Sequence, residues 1–405
     1  MSQRAGLAEA ARLVAEQVLA PRAQETDRAA RVPQSNLEAL ASAGLFGIAC
    51  ASGVPAAEGS AAGVSAARGG AMRQVQEALA GACGATYFVW AQHHSPVRRL
   101  RASPNSGLRN RWLDRLCAGE ALAGVAFAYM RRPGPPPVRA ERQPGGWQVD
   151  GVAPFVTSWG LADVFVVAGV SGATVDSDQA GPDVVWFCLE GRATEAVRPS
   201  PPMALSVLGS TCTVVLRLEG LFVPDEDVVS VEPFAAWKAR DRLATPQPSA
   251  AAFGVATRCA SLLGSLAAER EGTESGPLSR AAGSLTDELA SCRAHAYGLA
   301  DALAADALAG GEEALPVDTA MPGPGAATAA TDHLEGHLAA MIEARAWGLD
   351  LAQRSAIALI AATGGRAMAL DHPAQRLARE AAFYAIQAQT GPIRAATLAR
   401  LTRSA

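Results

Sequence analysis

Helix and strand signals in this chain do not mix. Alanine-rich stretches with apolar residues at spacings of three and four fill both ends, while runs rich in β-branched residues are confined to the middle, after Gly119 and before Pro233. The chain therefore reads as helices, then strands, then helices. At the start, Leu7, Ala11, Val14 and Val18 share one helical face. A second helix follows Pro33 and ends at Gly44, a third covers Met72 to Ala80, and a Gly/Ala/Ser loop is expected around Gly53 to Gly70. The middle has strand-like runs at 121–129, 147–150, 164–169, 184–189 and 213–218. Their separators, the Pro133–Pro137 run and the Gly145-Gly146 pair, suit antiparallel hairpins better than parallel crossovers. Beyond Pro233, helical patterns occupy 250–269, 280–308, 333–361 and 375–387, with a loop expected at 310–330. The expected architecture is α+β and mainly α: an N-terminal helical domain (1–118), a small central β-barrel (119–232) and a C-terminal four-helix bundle (233–405).

The bulk numbers exclude some partners. A net charge of -4 and scattered arginines give no basic field for nucleic acid or anionic lipid. Glu9 and Glu16 interrupt the N-terminal apolar pattern, so a signal peptide or membrane span is not expected there, and no later uncharged run is long enough to span a bilayer. The seven cysteines are spread singly, without a Cys-x-x-Cys pair, and read as reduced core residues of a cytoplasmic protein.

Four stretches carry a resemblance. Pro33 to Gly47 (PQSNLEALASAGLFG), Gly146 to Asp163 (GWQVDGVAPFVTSWGLAD), Leu218 to Val229 (LEGLFVPDEDVV) and Gly364 to Thr390 (GGRAMALDHPAQRLAREAAFYAIQAQT) occur in this order across all three parts. Together they resemble the acyl-CoA dehydrogenase family, the last keeping the family's Gly-Gly, Pro, Arg, Tyr and Thr at their spacings. The resemblance implies FAD, an acyl substrate and a homodimer or homotetramer with a shared flavin site.

Carried over by resemblance, Arg270 meets the FAD pyrophosphate, a task suited to a planar guanidinium. Gly364 and Gly365 admit the adenine-diphosphate half, and Thr390 closes the C-terminal motif. Phe155 stands where a tryptophan usually flanks the isoalloxazine, and Thr157 matches a threonine that bonds the flavin. The family's glutamine before the glycines is Ala361 here.

Two departures matter. The family's base is a glutamate between the Tyr and Thr of the C-terminal motif, and that position is Ala388; the second known location corresponds to Ala244. Alanine abstracts no proton, which leaves Asp241 and His94 as candidate bases, set against ordinary roles as a solvated acid and a packed histidine. The loop that binds the thioester arm is replaced by Arg131-Arg132-Pro133-Gly134-Pro135-Pro136-Pro137, where Arg131 and Arg132 are candidates to hold an anion or simply form a solvated hairpin tip. His333 and His337 share a helix face, but without the zinc-protease pattern they read as a solvated face, and no metal is expected. Three functions follow: an acyl-thioester oxidoreductase with a displaced base; a flavin-dependent monooxygenase on the same fold, using C4a-hydroperoxide chemistry and a reductase partner; or a catalytically inactive binding protein. The electron acceptor is not specified.

Overall fold

The computed structural model describes residues 3–50, 61–172, 181–271, 276–309 and 324–402. Before the strands come α1 (Gln3–Val14), a π-helical turn (Ala15–Leu19), α2 (Ala20–Arg28), α3 (Gln34–Ser42), a 3-10 turn (Leu45–Ala49), α4 (Ala61–Ala82), α5 (Gly84–Ala102) and α6 (Ser106–Ala118). Then follow β1 (Ala123–Ala126), β2 (Val138–Gln143), β3 (Gly146–Val156), β4 (Val164–Ser171), β5 (Asp183–Glu190), β6 (Val197–Pro199), β7 (Val214–Pro224) and β8 (Val228–Pro233). The last part holds α7 (Phe234–Ala244), α8 (Ala250–Glu271), α9 (Pro277–Ala309), α10 (Pro324–Thr363), α11 (Pro373–Tyr384) and α12 (Gly391–Leu401). Packing divides the chain into two compact units. One comprises Met1–Ala8, Val54–Gly84 and Arg240–Ala405; the other comprises Glu9–Gly53 and Ala85–Ala239.

The second unit holds every described strand. They form one eight-stranded sheet in the order β6-β7-β3-β2-β4-β5-β8, with β1 branching from β4. Most neighbours are antiparallel as expected, but β4 pairs in parallel with both β1 and β2. The turn signals said nothing of these pairings because the partners are not consecutive. β4 is buried along its whole length, as its unbroken apolar run VFVVAGVS requires for a central strand covered on both faces. The β2–β3 hairpin turns on Gly145 at φ 77°. At Gly151 (φ 140°) an added Cβ would lie 2.0 Å from the Pro137 carbonyl oxygen, so only glycine fits.

In the first unit, α4, α8, α9 and α10 pack as a four-helix group, with α11 and α12 against α10. The bundle thus borrows α4 from the N-terminal part. A Cβ at Gly81 would sit 2.6 Å from the Gly254 carbonyl oxygen, and one at Gly254 would sit 2.2 Å from that of Glu77. Bare backbone meets bare backbone where α4 crosses α8. Among the described residues α8 is the one helix long and apolar enough to cross a membrane, yet most of that stretch is buried in the fold.

Several expectations are corrected here. Helix α4 begins at Ala61, inside the expected 53–70 loop, and α10 begins at Pro324, inside the expected 310–330 loop; residues 51–60 and 310–323 lie outside the described ones. Helix α12 was not anticipated. Cys50 and Cys117 are disulfide-bonded, with Cα atoms 5.9 Å apart across a sequence separation of 67. Spacing alone cannot reveal so distant a pair. The other five cysteines are buried thiols, as expected.

Candidate functional site

Two loops of the second unit interlock around a run of hydroxyls. The backbone N–H of Ser158 donates to the Thr211 carbonyl (2.9 Å) and that of Trp159 to the Cys212 carbonyl (3.2 Å). The Thr157 and Thr213 hydroxyls meet at 3.1 Å, Thr213 meets Thr211 at 3.1 Å, and Thr211 donates to the Leu208 carbonyl at 2.7 Å. Four non-glycine residues in these loops hold left-handed backbone: Phe155 (φ 58°), Ser158 (72°), Leu208 (56°) and Cys212 (51°). Each costs about 1–3 kcal/mol, a cost that persists only where surrounding contacts over-determine it.

The strain fixes Phe155 outward. Its ring is 54% exposed, and the Arg132 guanidinium lies 5.9 Å from the ring centroid. An aromatic face beside a cation is a suitable wall for an electron-poor ring system. Thr157 is buried, and its hydroxyl is already engaged with Thr213. Arg131 lies 5.1 Å from the Phe127 ring centroid. Residues 208–212, which complete this site with Thr213, went unread in the sequence. Their signal was the polar Ser-Thr-Cys-Thr run immediately before β7.

In the first unit, Arg270 and the paired glycines come together. Arg270 Nη1 donates to the Ala362 carbonyl (2.8 Å), two residues before Gly364. Gly364 turns the chain at φ 75° after α10, and an added Cβ at either Gly364 or Gly365 would meet nothing within 4 Å. An exposed guanidinium beside exposed glycine backbone offers a diphosphate its donors without side-chain obstruction. Thr390 is the N-cap residue of α12, with no side-chain capping bond.

Neither position that the resemblance assigns to the family's glutamate carries an acid. Ala388 is half-buried at φ 52°, and Ala244 is exposed. Ala388→Gly should stabilise the fold by about 1 kcal/mol, since glycine adopts left-handed backbone without the Cβ penalty; thermal or denaturant unfolding would show it. Asp241 is half-buried on α7, in the first unit. His94 lies in the second unit, on α5. It is 2% exposed, both its ring nitrogens lack partners, and burial holds its pKa well below the usual histidine value, with His93 and Arg98 adding to the depression. Neighbouring His93 accepts the Ala123 N–H on Nδ1 (3.1 Å) and is pushed down to about 4, chiefly by burial. On α10, His337 bonds the Leu299 carbonyl (2.8 Å) and Glu335 pairs with Arg242, so this face does not assemble a metal site. No group of three or more metal ligands occurs among the described residues.

The fold is that of the acyl-CoA dehydrogenases. The chain is similar to butyryl-CoA dehydrogenase from Megasphaera elsdenii (17% identity, TM-score 0.69, covering 100% of this chain and 99% of that one). It is also similar to dibenzothiophene monooxygenase from Paenibacillus sp. (13%, TM-score 0.71, 98% and 97%) and to nitrososynthase from Micromonospora carbonacea var. africana (18%, TM-score 0.71, 100% and 98%). At these identities the likeness shows the fold alone. More particularly, residues 2–120 match the family model for the acyl-CoA dehydrogenase N-terminal domain. No curated protein matches the chain.

Proposed function

We propose that this protein is a flavin-dependent oxidoreductase whose chemistry does not begin with removal of a substrate α-proton, and that it acts as a monooxygenase. One observation carries the reading: both positions for the family's glutamate are alanine, and His94 is sealed without partners or solvent. Desaturating an acyl thioester needs a carboxylate or equivalent base at the α-carbon. Oxygen transfer from a reduced flavin does not need one there. Similar structures on this fold include a monooxygenase and a nitrososynthase, which supports the choice.

Two sets of residues, each within its own unit, support a flavin cofactor. Arg270 with Gly364 and Gly365 would hold its diphosphate, and Phe155 with Arg132 would flank its ring, while Thr157 acts by fixing the strained loop. When bound, flavin supplies two-electron redox chemistry and, once reduced, reaction with oxygen. The chain's own part is to hold the diphosphate by charge and bare backbone and to present an apolar wall that limits water at the ring. A homodimer or homotetramer, a reductase partner and a cytoplasmic setting belong to the same reading.

Arg270→Met should weaken FAD binding by about tenfold or more, as expected for loss of a charge-assisted hydrogen bond, while leaving the unfolding midpoint nearly unchanged. Flavin fluorescence titration checks this. Oxygen uptake by protein supplied with FAD and a flavin reductase tests the oxidase chemistry. Reduced protein that shows no accelerated oxygen consumption would sink the monooxygenase reading.

A further inference from the structure

The Cys50–Cys117 bond closes a cover over the buried histidine pair. The cover is the turn Leu45–Ala49 together with Cys50. Trp90 Nε1–H donates to the Leu45 carbonyl (3.1 Å), and the Phe46 ring meets that of His93 edge-on, with centroids 4.9 Å apart. A Cβ added to Gly47 would lie 3.1 Å from the Cys117 carbonyl oxygen, so the turn lies flush on α6. Beneath it, His94 packs edge-on against Trp90 (4.2 Å) and His93 (5.4 Å), both its nitrogens without partners. Both imidazoles are shielded from bulk solvent, His93 at 0% and His94 at 2% exposure, and water is the natural partner for such nitrogens.

We propose that Cys50–Cys117 is a thiol–disulfide exchange site for a dithiol reductant, and that its reduction releases residues 45–50 and admits water to His93 and His94. Both bonded cysteines are half-buried, whereas the five free thiols are buried. Access separates labile from structural disulfides. Arg101 Nη1 donates to the Cys50 carbonyl at 2.6 Å, placing positive charge at that residue, where a departing thiolate gains from it. One thiolate of the reductant attacks a sulfur of the pair, forming a mixed disulfide and expelling the other cysteine as thiolate. The reductant's second thiol then attacks the mixed disulfide and frees the first cysteine. The chain gains two electrons and two protons, and the reductant leaves as a disulfide. Once the bond is cut, residues 45–50 keep only non-covalent ties: the indole bond to Leu45, the Arg101 bond to Cys50 and the packing of buried Leu45 and Phe46. This inference is independent of the flavin reading.

Dithiothreitol serves as the probe on the full-length protein. Alkylation mapped by mass spectrometry should label neither Cys50 nor Cys117 before reduction and both after it, with the five buried thiols unlabelled throughout. Amide exchange in residues 45–50 and exchange of the Trp90 indole N–H should accelerate roughly tenfold or more on reduction. The double variant Cys50→Ser/Cys117→Ser should exchange fast without reductant and ignore it. Three results would overturn the proposal: labelling before reduction, unchanged exchange after it, or labelling of all seven cysteines on reduction, which marks the bond as a staple of the whole fold. Should the double variant fail to fold, the comparison of wild type with and without dithiothreitol still decides.

Discussion

Glu380→Ala is expected to cost about 3–5 kcal/mol, the range for breaking one partner out of a buried ion pair. Glu380 and Arg376 lie one turn apart on α11, at 1% and 3% exposure, and both carboxylate oxygens accept from Arg376 Nη1 at 2.9 Å. The carboxylate also accepts the Gly84 N–H at 3.1 Å, so it fastens α11 to the backbone just beyond α4. Gly84 makes this possible: a Cβ there would stand 2.6 Å from the Glu380 carboxyl carbon. Removing the carboxylate takes both of these bonds from a guanidinium that is itself buried. Replacing both partners by leucine should recover most of the loss, because no charge is then left buried. Urea unfolding of the two variants measures the contrast, and equal losses would show that the pair is not what holds α11.

The second large effect is loss of stability in acid. Burial holds the folded-state pKa of His93 at about 4 against an ordinary value of 6.5, and it depresses His94 as well. The neutral form is therefore favoured by the fold. Above 6.5 both states are neutral and nothing is lost; as pH falls from 6.5 towards 4, the unfolded chain binds protons that the folded one refuses. His93 alone should then forfeit about 3 kcal/mol by pH 4. His94→Leu should raise stability at neutral pH by about 1–2 kcal/mol, since an unpaired buried polar group is removed, and should flatten the acid limb. Unfolding midpoints across this pH window check both, and a limb unchanged in the variant would argue that carboxylates set the acid limit.

Much of this fold was legible because its signals are local. The β-branched runs of β4 and β5 and the alanine periodicity of α8, α9 and α10 each state their own secondary structure. Arg270 and the glycines at 364 and 365 were legible by resemblance, and the structure brings them together at the end of α10. What stayed hidden depends on distant partners. Nothing near Cys50 announces Cys117, nothing in β4 announces its parallel neighbours, and α4 looks like any N-terminal helix until Gly81 meets Gly254. The fate of His94 was half-visible: Trp90 lies four residues before it, on the same helical face, and a tryptophan neighbour signals a dry environment more than a catalytic one. Resemblance named Phe155 and Thr157, but the left-handed backbone around them could not be read, because Ser158 and Trp159 are held by the distant Thr211 and Cys212 carbonyls.

The protein is proposed to hold a flavin with no base poised to feed it from a thioester. The most direct test is the visible absorbance of the protein loaded with FAD, followed anaerobically while butyryl-CoA is added. A yellow complex whose flavin band persists agrees with this reading; prompt bleaching would show that a proton acceptor works in place of the missing glutamate, and a protein that takes up no FAD would contradict the premise itself.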